Sequence, residues 1–307
     1  MEKSKHAAFI GLSVLCAAAL LGGCSHFPLL DPKGPIGDSE RFVIIAAIAL
    51  MLIVVIPVAV MAFWFPKKYR ASNTKATYMP KWSRSGKIEL IVWLIPAAIV
   101  AVLGTLVWKA TFQLDPYKAI DTGVKPISIE AVSLDWKWLF IYPDHRIATV
   151  NQLVFPANVP LSFRLTSGTV MTSFFIPQLG SQIYAMAGMQ TRLHLLADEP
   201  GTYVGQNQQF SGRGFADMNF KAIAVPREQF DAWVQKVKQS PEKLDLARYE
   251  EIQKPSTHYP VVFFSWVKAD LFEHIIRQFN KTMFINPGTM NEGSGSIHHK
   301  TGASEES

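Results

Sequence analysis

Cysteine is nearly absent: Cys16 and Cys24 are the only two in 307 residues, and none follows residue 24. A disulfide framework and a Cys-rich metal site are therefore excluded from the rest of the chain. Charge of either sign is missing from Phe42 to Phe65, and no Asp or Glu lies between Glu40 and Glu89. No P-loop, Rossmann glycine pattern or Ser-His-Asp arrangement stands in a supporting context. His145 and His194 are isolated and lack metal-ligand spacing, so they read as surface or satisfied histidines. The formal charge is +6, but the basic residues are scattered or flank apolar segments. That placement carries topology rather than affinity for nucleic acid.

Hydrophobic residues make up 49% of the chain. Their uneven spread fits a membrane anchor joined to one ordinary domain. Lys3, Lys5 and His6 precede an apolar run from Ala7 to Leu21, followed by Gly22-Gly23-Cys24. A basic start, a short apolar core and small residues before a cut site describe a secretory signal peptide over 1–23. Leu21-Gly22-Gly23-Cys24 resembles a bacterial lipobox, which implies a lipid on Cys24 and an outside segment over 24–41. An uncleaved first membrane helix is the alternative, but a run of about 15 residues is short for a span.

Residues 42–65 and 88–108 are each long and apolar enough to cross a bilayer. Pro57 and Pro96 fall inside them, which lipid-embedded helices tolerate. The loop 66–87 holds Lys67, Lys68, Arg70, Lys75, Lys81, Arg84 and Lys87. A short, purely basic loop belongs in the cytoplasm, so the chain after Trp108 lies outside. Glu89 breaks the pattern at the foot of the second span. Position alone leaves two readings: a snorkelling carboxylate at the positive end of a helix, or a proton-accepting group.

After Gln113 the pattern becomes short strands. Ile127–Leu134, Trp136–Tyr142, Gln152–Phe155, Leu161–Leu165, Thr191–Leu195 and Phe220–Val225 predict an antiparallel sandwich or barrel over 109–226. Phe230, Trp233 and Val234 sit at helical spacing, and Pro241 to Ile252 predicts another helix. These open a helical extension over 227–285. The remainder, 286–307 with His298-His299, reads as a disordered tail.

Four pieces carry a family resemblance. They are Glu89-Leu-Ile-Val-Trp-Leu-Ile-Pro, Asp135-Trp136-Lys137-Trp138, Thr169 to Gly180, and Tyr203 to Met218. In this order the chain resembles subunit II of the haem–copper oxidases. That implies a two-helix membrane hairpin carrying a cupredoxin-like sandwich. The copper-bearing members hold two coppers with thiolates, imidazoles and a Met sulfur. Here the matching positions are Thr172, Asn207, Gln209, Ser211, Phe215 and Met218. Only Met218 keeps a donor for a soft metal, and one thioether cannot hold copper. Met218 itself reads as core packing.

The pattern is similar to the quinol-oxidase branch, which takes electrons from a membrane quinol and not from cytochrome c. The resemblance implies no cofactor on this chain. It places the haems, a copper and the ubiquinol chemistry in subunit I, the main partner beside smaller membrane subunits and lipid. It makes Glu89 the mouth of a proton path. It leaves Trp136, an electron-entry residue where copper is present, with a structural or interface role. A copper-bearing cytochrome c oxidase subunit and a stand-alone solute-binding or scaffold lipoprotein are the competing readings.

Overall fold

The computed structural model describes residues 27–77, 79 and 81–285. Cys24, the signal segment and the tail after Ile285 lie outside the described residues. Two long helices come first: α1 (Pro35–Lys68) and α2 (Gly86–Gln113). Both run beyond their apolar cores by a turn or more. Each is long and apolar enough to cross a membrane, and neither is buried inside the chain. The helices continue through Pro57 and Pro96.

The outer domain is a sandwich of two sheets. Its strands are β1 (Ile127–Leu134), β2 (Lys137–Tyr142), β3 (Ile147–Val150), β4 (Gln152–Pro156), β5 (Leu161–Ser167), β6 (Thr172–Ile176), β7 (Gly180–Ala185), β8 (Thr191–Leu195), β9 (Gly201–Gln206) and β10 (Asn219–Val225). The extension adds α3 (Arg227–Lys238), β11 (Lys243–Leu244), α4 (Leu246–Gln253), β12 (Val262–Phe264), β13 (Trp266–Val267) and α5 (Leu271–Ile285). One sheet has the order β12-β3-β2-β1-β5-β8, the other β4-β10-β9-β6-β7.

The sandwich is mixed rather than purely antiparallel. β1 pairs parallel with β5, and β10 pairs parallel with β4. Parallel neighbours need long crossovers, and here the intervening strands supply them by switching sheets.

The six-stranded sheet is covered on both faces. Along β2, Trp138, Phe140 and Tyr142 enter the core between the sheets. Leu139 and Ile141 point the other way, into a second core with Tyr249, Ile252, Phe264 and Phe272 of the extension. Period-two alternation with both faces buried produces a near-continuous apolar run, which is what this aromatic segment is. The extension is therefore not purely helical. β12 joins the main sheet beside β3, and β11 pairs with β13. The helix expected from Pro241 starts at Leu246, capped by the Asp245 carboxylate accepting from Arg248 N–H at 2.8 Å.

The hairpin is fastened to the sandwich at the start of α1. Lys33 N–H donates to the Gln178 carbonyl at 2.7 Å, and Asp198 N–H to the Lys33 carbonyl at 2.9 Å. A Cβ at Gly34 would stand 2.1 Å from the Leu196 carbonyl oxygen, so only glycine permits this approach. Ser181 of β7 donates to the Glu40 carboxylate on α1.

Candidate functional site

The segment from Asn207 to Met218 links β9 to β10 and folds over the end of β6. Asn207, 5% exposed, organises it. Its Oδ1 accepts from Ser173 N–H and Gln209 N–H, each at 2.9 Å. Its Nδ2 donates to the Gln209 carbonyl at 2.8 Å, to Ser211 Oγ at 3.2 Å and to Met218 Sδ at 3.4 Å. Only this amide orientation works, because the reverse would set NH2 against two N–H donors. Ser173 Oγ accepts from Gln208 N–H at 2.7 Å, which laces β6 to the loop a second time.

The six positions singled out in the sequence are not equally gathered. Asn207, Ser211 and Met218 touch through their side chains. Gln209 takes part through its backbone. Phe215 lies in a 3-10 turn, Phe215–Asp217, and packs its ring on Phe210 at 5.7 Å between centroids. Thr172 is fully buried at the start of β6, and its hydroxyl has no hydrogen-bond partner among the described residues. Met218 is buried in the core, and its sulfur accepts a hydrogen bond.

These donors do not fit a dicopper centre. An amide and one hydroxyl meet a single thioether, the Phe215 ring packs on Phe210, and the amide's hydrogen-bonding capacity is already used. Asn207 cross-links this region through hydrogen bonds alone. It joins β6, the loop and the strand start at β10.

Trp136 completes the loop's support. The sequence suggested a strand beginning there, but Trp136 takes φ 96° in the turn between β1 and β2. Its indole Nε1–H donates to the Ser211 carbonyl at 2.8 Å. The ring fills the space against Gly214, where a Cβ would stand 2.4 Å from Cδ2. Trp136 thus holds the loop at Ser211 and Gly214, beside the bonds made by Asn207.

Three charged groups on the six-stranded sheet, Lys137, Glu130 and Arg164, had no role assigned from the sequence. Lys137 is fully buried beside Leu139, facing the extension. Its Nζ donates to the carbonyls of Ile252 at 2.9 Å and Lys254 at 2.8 Å, at the C-terminal end of α4. A cation there meets the negative end of the helix dipole. Nζ also lies 4.9 Å from the Tyr259 ring centroid. Burial lowers its pKa to about 8, against the opposing pull of Asp135.

Arg164 of β5 binds Glu130 Oε1 at 3.0 Å and Gln190 Oε1 at 2.8 Å, and it also pairs with Glu273 of α5. Burial pushes Glu130 up to about 7; Arg164 opposes this, and Glu273 and Asp270 add to it. Arg146 and Lys268 line the same cleft. The folded value lies above the ordinary 4.5, so the folded protein holds a proton that the unfolded chain releases between these values. Stability from this group is complete below the unfolded value and is lost as pH rises through about 7. Glu130→Gln is expected to remove that slope. Thermal unfolding midpoints at about pH 5 and about pH 8 should differ less in the variant than in the parent. Equal differences would contradict this assignment.

Glu89 stands in the first turn of α2 with its side chain half exposed, 3.6 Å from Arg84 Nε. An exposed pair of this kind contributes little stability. It stands at the opposite end of the hairpin from the sandwich. His194 bridges the Pro116 carbonyl at 3.1 Å and Ser162 Oγ at 3.3 Å, and His145 packs on Phe230. Neither is near the loop's donors.

Comparison with known proteins decides the family. Residues 142–225 match the periplasmic domain of cytochrome c oxidase subunit II, and residues 238–283 match the COX aromatic-rich motif. The chain is 50% identical over 298 residues to the cytochrome bo(3) ubiquinol oxidase subunit 2 of Pseudomonas aeruginosa, covering 97% of this chain and 90% of that protein. It is 48% identical over 280 residues to the ubiquinol oxidase subunit 2 of Acetobacter aceti, covering 91% of each. The chain belongs to the ubiquinol oxidase subunit 2 family. The aromatic-rich match falls on α4, β12, β13 and α5, the segment that buries the second face of the main sheet. In this family member the segment Asn207–Met218 is held by hydrogen bonds centred on Asn207.

Proposed function

We propose that this chain is the copper-free second subunit of a proton-pumping ubiquinol oxidase, with a docking and support role and no redox step of its own. The observation that carries this is Asn207, whose bonds fill the space among Ser173, Gln209, Ser211 and Met218. The reading places haems, copper and quinol chemistry in subunit I. It orients the hairpin with the basic loop in the cytoplasm and the sandwich in the periplasm of a bacterial inner membrane. Cys24 is the proposed lipid attachment site after removal of residues 1–23. The proposed spans are 42–65 and 88–108, joined by the loop 66–87. Purification in a gentle detergent tests the assembly. Haem and a large polytopic subunit should co-purify with the chain. A haem-free monomer would favour the scaffold lipoprotein.

Glu89 is the proposed entrance of a proton path into subunit I. Arg84 of the basic loop lies 3.6 Å from its carboxylate, which is half exposed rather than buried in this chain. Glu89→Ala is expected to slow proton-coupled turnover at least roughly tenfold, because a lost proton-transfer group costs about 10²-fold where no water replaces it. Glu89→Asp should lose less. Turnover and pumping at parental levels in the Ala variant would leave Glu89 as a snorkelling residue.

A further inference from the structure

Residues near the outer ends of α1 and α2 line a groove of about 400 Å³. Its walls are layered. Asp38 and Ser39 on α1, with Lys109 and Gln113 on α2, form the rim nearest the sandwich. Phe42 and Leu106 lie about one turn deeper along each helix. Charge stands above an apolar floor, at the level where a bilayer changes from headgroup to acyl chain.

The rim charges are of both signs and open to a ligand. Asp38 and Lys109 are exposed, and neither has an ion-pair partner among the described residues. They do not pair with each other. Asp198 lies close enough that Asp38 adds to the rise of its carboxyl above the ordinary value, behind burial. The α1 side is therefore anionic and the α2 side cationic.

We infer that this groove binds a glycerophospholipid whose headgroup carries a primary ammonium beyond its phosphate, held between Lys109 and Asp38. The phosphate oxygens accept from the Lys109 ammonium and the Gln113 amide. The lipid ammonium donates to the Asp38 carboxylate, with Ser39 Oγ as a further acceptor. One acyl chain lies over Phe42 and Leu106. The inference rests on the membrane reading of α1 and α2. A phosphate alone would leave Asp38 unmatched, and a quaternary ammonium has no proton to give it.

The test is native mass spectrometry of the full chain in gentle detergent, titrated with phosphatidylethanolamine, phosphatidylcholine or phosphatidylglycerol. Phosphatidylethanolamine should be retained preferentially. Lys109→Met should lower retention of all three about fivefold, the effect of one interfacial cation. Asp38→Asn should abolish the preference for phosphatidylethanolamine over phosphatidylglycerol. Lys118→Gln, outside the groove, should change nothing. In the complex isolated from membranes, a photoreactive phosphatidylethanolamine should label the peptide 106–114. Equal retention of the three lipids, or a 106–114 peptide left unlabelled by the photoreactive lipid in the complex, would overturn the inference. Carbonate extraction separates its failure from that of the membrane reading. A chain that stays in the membrane yet shows no headgroup preference sinks the lipid site alone. A chain released by carbonate sinks both.

Discussion

Lys137→Ala is expected to loosen the C-terminal extension and to lower the unfolding midpoint of the outer domain. The substitution leaves the carbonyls of Ile252 and Lys254 without their donor inside the protein. Each orphaned buried group costs about 1–3 kcal/mol, and the lost side chain leaves a void beside Leu139 and Ile141. Part of this is offset, because removing Lys137 also removes the cost of burying its charge. A net loss of about 2–4 kcal/mol corresponds to a fall of roughly 5–12 °C for a domain of this size. Lys137→Met fills the stem volume and should recover part of the loss. Limited proteolysis after Gln253 reports the extension directly. An unchanged midpoint with unchanged proteolysis would remove Lys137 from the account. The pH behaviour has a definite sign. The folded value of about 8 lies below the ordinary 10.5, so the unfolded chain binds the extra proton between them. Stability from this group therefore rises as pH climbs through that window. The neutral amine still has two protons for the two carbonyls.

Asn207→Ala carries the second large effect. It strips the acceptor from the Ser173 and Gln209 amides and the donor from the Gln209 carbonyl, Ser211 and Met218 in one step. One buried and two partly buried backbone groups lose partners, and a loss of about 2–4 kcal/mol is expected. Asn207→Asp keeps the acceptor but turns a second oxygen toward the Gln209 carbonyl. It should therefore fail as badly, whereas a purely steric role for Asn207 would make Asp nearly harmless. Hydrogen exchange reads the outcome locally: the Ser173, Gln208 and Gln209 amides should exchange faster in both variants. Protection at parental levels would show that the loop is held by Trp136 and core packing instead.

How much of this was legible in the sequence depended on whether one residue type carried one structural meaning. The strands Ile127–Leu134 and Thr191–Leu195 were readable to the residue, because apolar and polar side chains alternate there. β9 was not, because Gly201 and Gly205 interrupt its pattern; Gly205 is present because the Phe220 ring occupies the space of its Cβ. β6 was hidden because Thr172 and Ser173 are polar yet buried, and β7 because Ser181 and Gln182 lie on a half-exposed strand. β11 was read as helix, since two residues have no measurable period; only pairing with Trp266 and Val267 makes Lys243 and Leu244 a strand. The loop's substitutions were visible one by one, yet sequence could not say that Asn207 and Met218 meet, or that Ser173 joins them. Ser173 left no signal beyond a small polar residue in an aromatic segment. Lys137 was concealed in the same way: two tryptophans flank it, and nothing local marks its side chain as turned inward to the carbonyls of a helix more than 100 residues away.

The copper content of the full chain, produced without its partner subunits and exposed to copper, tests the central claim most directly. A loop held by Asn207 should bind no stoichiometric copper and give no thiolate–copper absorption. Two coppers per chain, magnetically coupled and retained through gel filtration, would contradict it.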